Sequence, residues 1–321
     1  MNRNGARYNL YSDYLKHRYG AKVYKLPVNL PVTCPNRDGT CGTGGCDFCG
    51  EEGAGHESLP ADMPVRDQVA INKSYIGPRY KAEKFIVYFQ NYTNTYLPPG
   101  LLRSYIEEAC LDDVVAVHVA TRPDCISDAH VMAMEEARLA KGVDITVELG
   151  LQTVNYRTLA AIHRGHTLAE FIDAVVRIRR LSRLSVCVHL IPNLPGDDIL
   201  DTVETAKVLS AFPVEQVKLH ALFIVKGTRL AEEYASGQLK LGTLDDYVER
   251  VIAFLEHLHP ETVVQRLVGR APASATVFAN WGVAWWRIRD LIEAGLAERD
   301  TWQGKRCDYL NGRAVKKFGT L

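Results

Sequence analysis

Four cysteines, Cys34, Cys41, Cys46 and Cys49, fall within sixteen residues of a glycine-rich stretch, and this cluster limits what the chain can be. Eight cysteines in 321 residues are too few for a disulfide scaffold, so clustered thiols here read as metal ligands or catalytic groups. Thiolates suit soft iron or zinc, and the Cys46-x2-Cys49 pair lets one turn aim two sulfurs at one centre. Spacing alone leaves iron and zinc both open, including a structural zinc site with four thiolate ligands. Cys110, Cys125, Cys187 and Cys307 are isolated in sequence. Cys110 and Cys187 sit in apolar periodic contexts, where a cysteine is usually a small buried hydrophobe.

The chain around this cluster alternates two periodicities. An aromatic-rich helix is expected over Tyr8–Tyr19 and a short strand over Lys22–Leu26, followed by a long loop from Asn29 to about Gly55 that carries the cysteines. Apolar strand-like runs then recur at Phe85–Phe89, Val114–His118, Ile145–Glu148, Val186–Leu190 and Val217–His220, separated by helical segments near 101–111, 128–140, 168–180 and 198–209. Short apolar runs alternating with helix-length segments indicate parallel strands with crossover helices. Six βα units result, which predicts an α/β fold: a partial (β/α)6 TIM-like barrel of parallel strands with N- and C-terminal extensions. A flat doubly wound sheet is the alternative, but Gly42-Thr43-Gly44-Gly45 lacks the GxGxxG spacing of its usual dinucleotide fingerprint. The expected division is an extension over 1–21, the barrel core over 22–227 and a C-terminal extension over 228–321, with a helix near 244–258, a strand over Thr262–Arg266 and a tryptophan-rich helix near 281–294.

Charge excludes little: Lys plus Arg and Asp plus Glu both number 38, so no global field demands nucleic acid. The opening Met1-Asn2-Arg3-Asn4-Gly5 leads into no apolar signal core, and no run of about 18 uncharged apolar residues follows. The expectation is a cytoplasmic protein without a membrane partner.

The segment Cys34-Pro35-Asn36-Arg37-Asp38-Gly39, closing on Cys46-Asp47-Phe48-Cys49-Gly50, resembles the signature of the radical S-adenosylmethionine superfamily in the wider form C-x11-C-x2-C. With Tyr24-Lys25-Leu26-Pro27, it is most similar to the subgroup related to the catalytic subunit of Elongator, including stand-alone bacterial proteins, over about Tyr8 to Pro272. The resemblance implies a [4Fe-4S] cluster on Cys34, Cys46 and Cys49, with a fourth iron left open for S-adenosyl-L-methionine. Cys41 is then an extra cysteine and not a ligand. Phe48 occupies the position of an aromatic beside the adenine.

Other motifs are placed by the same resemblance. The polar and aromatic run Phe89-Gln90-Asn91-Tyr92-Thr93-Asn94 follows the second strand where the family has a glycine-rich segment; Gln90 and Asn94 are expected to contact cofactor or substrate. Glu148-Leu149-Gly150-Leu151-Gln152 is similar to the family's E-x-G-x-Q motif, which implies Glu148 and Gln152 near the nucleoside, with Gly150 letting a ligand approach the backbone. Arg164 suits the methionyl carboxylate because its fork donates two parallel hydrogen bonds; His166 and His220 are candidate substrate contacts. Arg122 and Asp124 serve equally as a loop brace, and Gly196-Asp197-Asp198 as a turn and helix N-cap. Asn193 stands where the family has glycine.

The implied activity is reductive cleavage of S-adenosylmethionine to a 5′-deoxyadenosyl radical, which abstracts hydrogen from a substrate and needs a reducing partner such as flavodoxin or ferredoxin. A tRNA wobble uridine is the first substrate expectation, supported by Lys305, Arg306, Arg313, Lys316 and Lys317 against Asp308 in the tail. A small metabolite or protein substrate stays open, as does a non-enzymatic zinc or iron-sulfur module.

Overall fold

A computed structural model of the protein describes residues 5–50, 58–271 and 276–319. The opening residues Met1–Asn4, the expected loop end near Gly55 and the Pro272 limit lie outside the described residues. In chain order the elements are α1 (Tyr11–Tyr19), β1 (Val23–Val28), α2 (Val65–Tyr80), β2 (Lys84–Phe89), α3 (Pro99–Ala109), β3 (Val114–Thr121), α4 (Asp128–Lys141), β4 (Asp144–Gln152), α5 (Tyr156–Ala161) and α6 (Leu168–Leu181). There follow β5 (Ser185–Leu190), α7 (Ile199–Ala211), β6 (Gln216–Leu219), β7 (Ile224–Val225), α8 (Arg229–Ala235), α9 (Leu244–His257), β8 (Val263–Arg266), β9 (Thr276–Phe278) and α10 (Trp285–Glu298). Strands β1 to β6 and β8 form one parallel sheet in the order β1-β2-β3-β4-β5-β6-β8, and β7 pairs antiparallel with β9.

Alternation along each strand decides which way the sheet faces. Phe85, Val87 and Phe89 of β2, Val117 and Val119 of β3, Ile145, Val147 and Leu149 of β4, and Val217 and Leu219 of β6 join the apolar core under the helices. Each such side chain fully removed from water contributes about 1.5–3 kcal/mol. The intervening residues, Tyr88, Glu148, Gly150, His189 and Lys218, face the other side and line a cavity. Apart from the half-buried His189 both sets are buried, as in a sheet whose second face curls in on itself.

Two contacts measure that curl. Lys25 on β1 reaches Glu148 on β4 at 2.7 Å, three strands away, and Gln265 on β8 at 2.9 Å, at the opposite edge of the sheet. In a flat sheet neighbouring strands are about 4.8 Å apart, so the two edges would be separated by roughly 29 Å. The sheet is therefore a strongly curled, open barrel. The segment before α1 closes part of the gap: the Val264 N–H donates to the Asn9 carbonyl, and Leu10 bridges to Val264.

The expected partial barrel is thus present with seven strands instead of six. The additional strand, β8, comes from beyond Gly227 and pairs parallel with β6. Helix α2 had no sequence signal, for a physical reason. Its buried stripe is Val65, Gln68, Val69, Asn72 and Ile76, and two polar members hide the apolar periodicity. Gln68 exchanges hydrogen bonds with the backbone of Asn29 and donates to Met63, while Asn72 donates to the Pro27 carbonyl at 2.6 Å. These amides fix the exit from β1, where the cysteine loop begins.

Candidate functional site

The cysteine loop hangs over the carboxyl ends of the strands, the end at which parallel barrels carry their chemistry. Cys34, Cys46 and Cys49 line a cavity of about 550 Å³ there, whereas Cys41 is exposed and lines a separate cleft with Thr95 and Tyr96. Donors converge on the sulfurs. Asn36 Nδ2 lies 3.5 Å from Cys46 Sγ and also donates to the His163 carbonyl at 2.7 Å. Arg164 Nη1 is 3.4 Å from Cys46 Sγ, and Arg37 is 3.5 Å from Cys49 Sγ while donating to the carbonyls of Cys49 and Gly50. Three sulfurs on one cavity wall, with N–H donors approaching those of Cys46 and Cys49, fit a three-cysteine iron-sulfur cluster. A four-thiolate zinc site would need Cys41, which faces elsewhere.

Of the sequence-predicted cofactor contacts, Phe48, Gln90, Glu148, Gln152 and Arg164 line this same cavity. Phe48 also packs against the cluster of Ile162, Ile191, Leu194 and Leu222. Gln152 has φ +77°, a left-handed backbone that a side-chain-bearing residue adopts at a cost. A Cβ on Gly150, two residues earlier, would sit 2.7 Å from an Arg164 guanidinium nitrogen and 3.0 Å from Gln152 Nε2, so these two side-chain ends would have to shift. The space expected for a ligand over Gly150 is filled by Arg164, which donates to the Gly150 carbonyl at 2.7 Å.

Asn94 departs from expectation. It is fully buried, and its Nδ2 donates to the carbonyls of Phe89, Asn91 and Ala120 at 2.9–3.0 Å, tying the loop after β2 to the end of β3. It is not among the cavity-lining residues. His166 likewise braces the backbone, donating from Nε2 to the Gly150 carbonyl at 3.0 Å. Arg122 grips Asp124 through two hydrogen bonds of 2.9 and 2.7 Å and donates to the Arg164 carbonyl at 2.8 Å, the loop brace considered from sequence. Burial would raise the Asp124 carboxyl, but Arg122 outweighs it and holds the group below its ordinary range. Asp198 caps α7, accepting from the N–H groups of Leu200 and Asp201, so the Gly196-Asp197-Asp198 segment acts as a helix start. Asn193 accepts from the Leu222 N–H at 2.8 Å.

Glu148 lines the cavity with its carboxylate already engaged. Its side chain has no solvent exposure, and its oxygens are held by Lys25 (2.7 Å), His118 (2.6 Å), His189 (2.6 Å) and Lys218 (3.1 Å). With Gln265 Nε2 also 3.5 Å from Oε1, at least two donors stand on each oxygen and fill the acceptor sites of the carboxylate, leaving none for a further ligand. Burial opposes ionisation, yet the two ammonium groups and the imidazole hydrogen bonds prevail and hold the carboxyl well below the usual range. The surrounding bases move the other way: burial, followed by the neighbouring cations, pushes His118 and His189 down to about 4. Burial also drives Lys218 down to about 7, partly offset by Glu148. Glu148, Cys187 and His189 could offer a metal three ligand atoms, but the lysines already occupy the carboxylate and burial keeps the Cys187 thiol protonated.

Sequence reasoning passed over Lys25, Tyr88, His118, Lys218, Gln265 and Arg266 as site residues. The signal was present: each is a polar or hydroxylated interruption on a β strand, and Lys25, His118, Glu148, His189 and Lys218 all fall on the interior side of the alternation.

Fold and site together define a parallel α/β barrel with a cysteine-lined cavity at the carboxyl ends of its strands. Comparison with known proteins places it more narrowly. Residues 32–209 match the pattern of the Radical SAM superfamily, and residues 214–298 match that of the Radical_SAM C-terminal domain. The chain belongs to the radical SAM superfamily. It is 36% identical over 300 residues to the protein YtqA of Bacillus subtilis, covering 93% of this chain and 92% of that one. It is 28% identical over 176 residues to the tRNA uridine(34) acetyltransferase of Methanocaldococcus jannaschii, covering 54% of this chain but 31% of that enzyme. Among solved structures, the Elp3 of Methanocaldococcus infernus, with an N-terminal deletion, superposes with a TM-score of 0.65 at 18% identity, covering 94% of this chain and 68% of that one. This last likeness supports the fold. Among the described residues no helix is long and apolar enough to cross a membrane.

Proposed function

We propose that Cys34, Cys46 and Cys49 hold a [4Fe-4S] cluster, and that the cavity beneath it binds S-adenosyl-L-methionine and a substrate. The observation that carries this reading is that these three cysteines, and not Cys41, share one cavity with Gln90, Gln152 and Arg164. When bound, the cluster supplies the electron, received from a donor such as flavodoxin or ferredoxin, that cleaves S-adenosylmethionine to a 5′-deoxyadenosyl radical. The protein's own part is to bind, orient and shield. Asn36, Arg37 and Arg164 donate to the sulfurs and stabilise their negative charge. Arg164 has further guanidinium donors to offer a methionyl carboxylate, and Phe48 and Gln152 stand beside it for the adenosyl group. Glu148 takes a positioning role, fixing Lys25, Lys218, His118 and His189 around the deeper cavity.

For the substrate we propose a tRNA wobble uridine. Support comes from the likeness to the tRNA uridine(34) acetyltransferase and to human Elongator complex protein 3, 26% identical over 194 residues. The basic tail supports it less than its composition suggested: Arg306 pairs with Glu256 at 3.0 Å and Arg313 with Asp308 at 3.7 Å, so two of its five cations are already matched. Tests are direct. The reduced, reconstituted protein should release 5′-deoxyadenosine, faster with bulk tRNA than without. Digested tRNA from a strain lacking the gene should differ in a uridine derivative by mass spectrometry; an unchanged nucleoside profile would turn the reading to a metabolite or protein substrate.

A further inference from the structure

The cavity carries more positive charge than its cofactors require, and the excess has a definite place. Around the cysteines, Arg37, Arg122 and Arg164 are each committed to sulfurs, carbonyls or Asp124. Away from the cysteines, Lys25, Lys218, Arg266 and the exposed Arg270 line the cavity, and among the described residues the one carboxylate lining it is Glu148. Lys25 and Lys218 share that carboxylate, and both also lie over the Tyr88 ring, at 4.6 and 4.4 Å from its centroid.

Arg266 has less compensation, feeling Glu148 only through space and without a direct ion pair. Among the described residues it makes no ion pair, its Nε is buried without a hydrogen-bond partner, and its Nη2 touches only the neutral ring of His220, at 2.6 and 3.0 Å. Burial depresses the basicity of both groups, that of His220 strongly. Arg266 is moreover the register partner of Lys218 across the β6–β8 pair, where a β-bulge adjusts the alignment. Like charges directly opposite on neighbouring strands repel, and a buried charge without a partner is costly. A chain that keeps this arrangement gains stability when an anion enters between the two cations.

We propose that Lys218 and Arg266, flanked by His189 and His220, form an anchoring subsite for an oxyanion, a carboxylate or phosphate group, carried by the molecule acted on in the cavity. Arg164, beside Cys46, is the group placed for the methionyl carboxylate, so this second fork is left for another ligand. That the occupant is the substrate rests on the proposed function; that the subsite binds an anion does not. A guanidinium edge matches either oxyanion by two parallel hydrogen bonds, and Lys218 adds a point charge that strengthens in proportion as it takes up a proton.

The test uses the full chain and needs no turnover. Thermal unfolding is compared in chloride, acetate and inorganic phosphate at equal ionic strength, for the parent, Arg266→Gln and Arg266→Lys. The parent should melt at higher temperature in acetate or phosphate than in chloride, as binding to the native state alone requires. R266Q should lose that rise. R266K, which keeps charge but not the planar fork, should retain it better for phosphate than for acetate. A larger rise with acetate assigns a carboxylate, and with phosphate a phosphate group. In the parent chain, modification of Arg266 by phenylglyoxal, mapped by peptide mass, should be slowed by the effective anion, which tests the subsite even if R266Q fails to fold. No anion-dependent rise in the parent, a rise that R266Q keeps in full, or modification of Arg266 indifferent to the anion would each overturn the proposal. Iron content, measured on the same samples, tells a failed subsite from a failed cluster.

Discussion

Replacing Glu148 with Gln changes one atom type at the centre of the buried network and leaves the shape intact. The carboxylate now holds two ammonium groups and two imidazoles. Removing one partner of a buried ion pair costs about 3–5 kcal/mol, because the other charge is stranded. Two features place E148Q toward the low end of that range. Lys25 is 23% exposed and keeps some solvation, and Lys218, already down at about 7, escapes by losing its proton. A loss of roughly 3 kcal/mol follows, and with an unfolding entropy of about 2.1 cal/mol/K per residue it lowers Tm by about 4–5 °C. The sign with pH is also fixed. Lys218 has a folded pKa below its unfolded value, so the native state binds fewer protons than the unfolded chain between about 7 and the ordinary 10.5. Stability therefore rises with pH in that window, and the penalty is largest at or below its lower end. The parent should gain stability from neutral pH toward pH 9, and Lys218→Met should flatten that gain. Because Glu148 makes no hydrogen bond to Cys34, Cys46 or Cys49, iron content of E148Q should match the parent. Calorimetric melting with an iron assay checks both. A melting temperature within a degree of the parent's, or iron lost in E148Q, would refute the reasoning.

Single alanine substitutions of Cys34, Cys46 and Cys49 should each abolish the cluster, while Cys41→Ala keeps most of the iron; an iron assay across the four variants checks this. Gly150→Ala drives a Cβ into Arg164 and should weaken S-adenosylmethionine binding about tenfold by calorimetry, the equivalent of one lost charged hydrogen bond. Asn94→Ala should destabilise by about 2–3 kcal/mol through three orphaned carbonyls, with cofactor affinity unchanged, as urea unfolding and calorimetry would show. If the tail meets RNA, Lys316→Ala with Lys317→Ala should flatten the log–log salt dependence of tRNA binding by about one to two units.

What was legible in the sequence followed from periodicity and spacing. Strands β2 to β6 announce themselves as apolar runs between helix-length segments, and their ends were placed within a few residues. The strand β8 was visible as Thr262–Arg266, but its pairing was not, because a four-residue strand after a change of character carries no sign of which edge it joins. Helix α2 was hidden by Gln68 and Asn72, whose buried amides serve the backbone of β1 and its exit. At the site, spacing alone left all four cysteines as candidate ligands; the family resemblance set Cys41 apart from the other three, and Cys41 lines a different cleft. Motif placement brought Phe48, Gln90, Glu148, Gln152 and Arg164 to the cavity, while Asn94 lies outside its lining and the Glu148 carboxylate is already engaged by neighbouring side chains. A buried asparagine spent on carbonyls and one spent on a ligand look alike in sequence. The partners of Glu148 come from β1, β3, β5, β6 and β8, and only the curl of the sheet brings them together.

The most direct test of the central claim is electron paramagnetic resonance of the anaerobically reconstituted, reduced protein before and after addition of S-adenosylmethionine, with metal analysis of the same sample. Three thiolate ligands and an open iron predict about four irons per chain and a reduced-cluster signal whose g values shift when the cofactor is added. One tightly bound zinc per chain with no iron, or a cluster signal that S-adenosylmethionine leaves unchanged, would contradict the assignment.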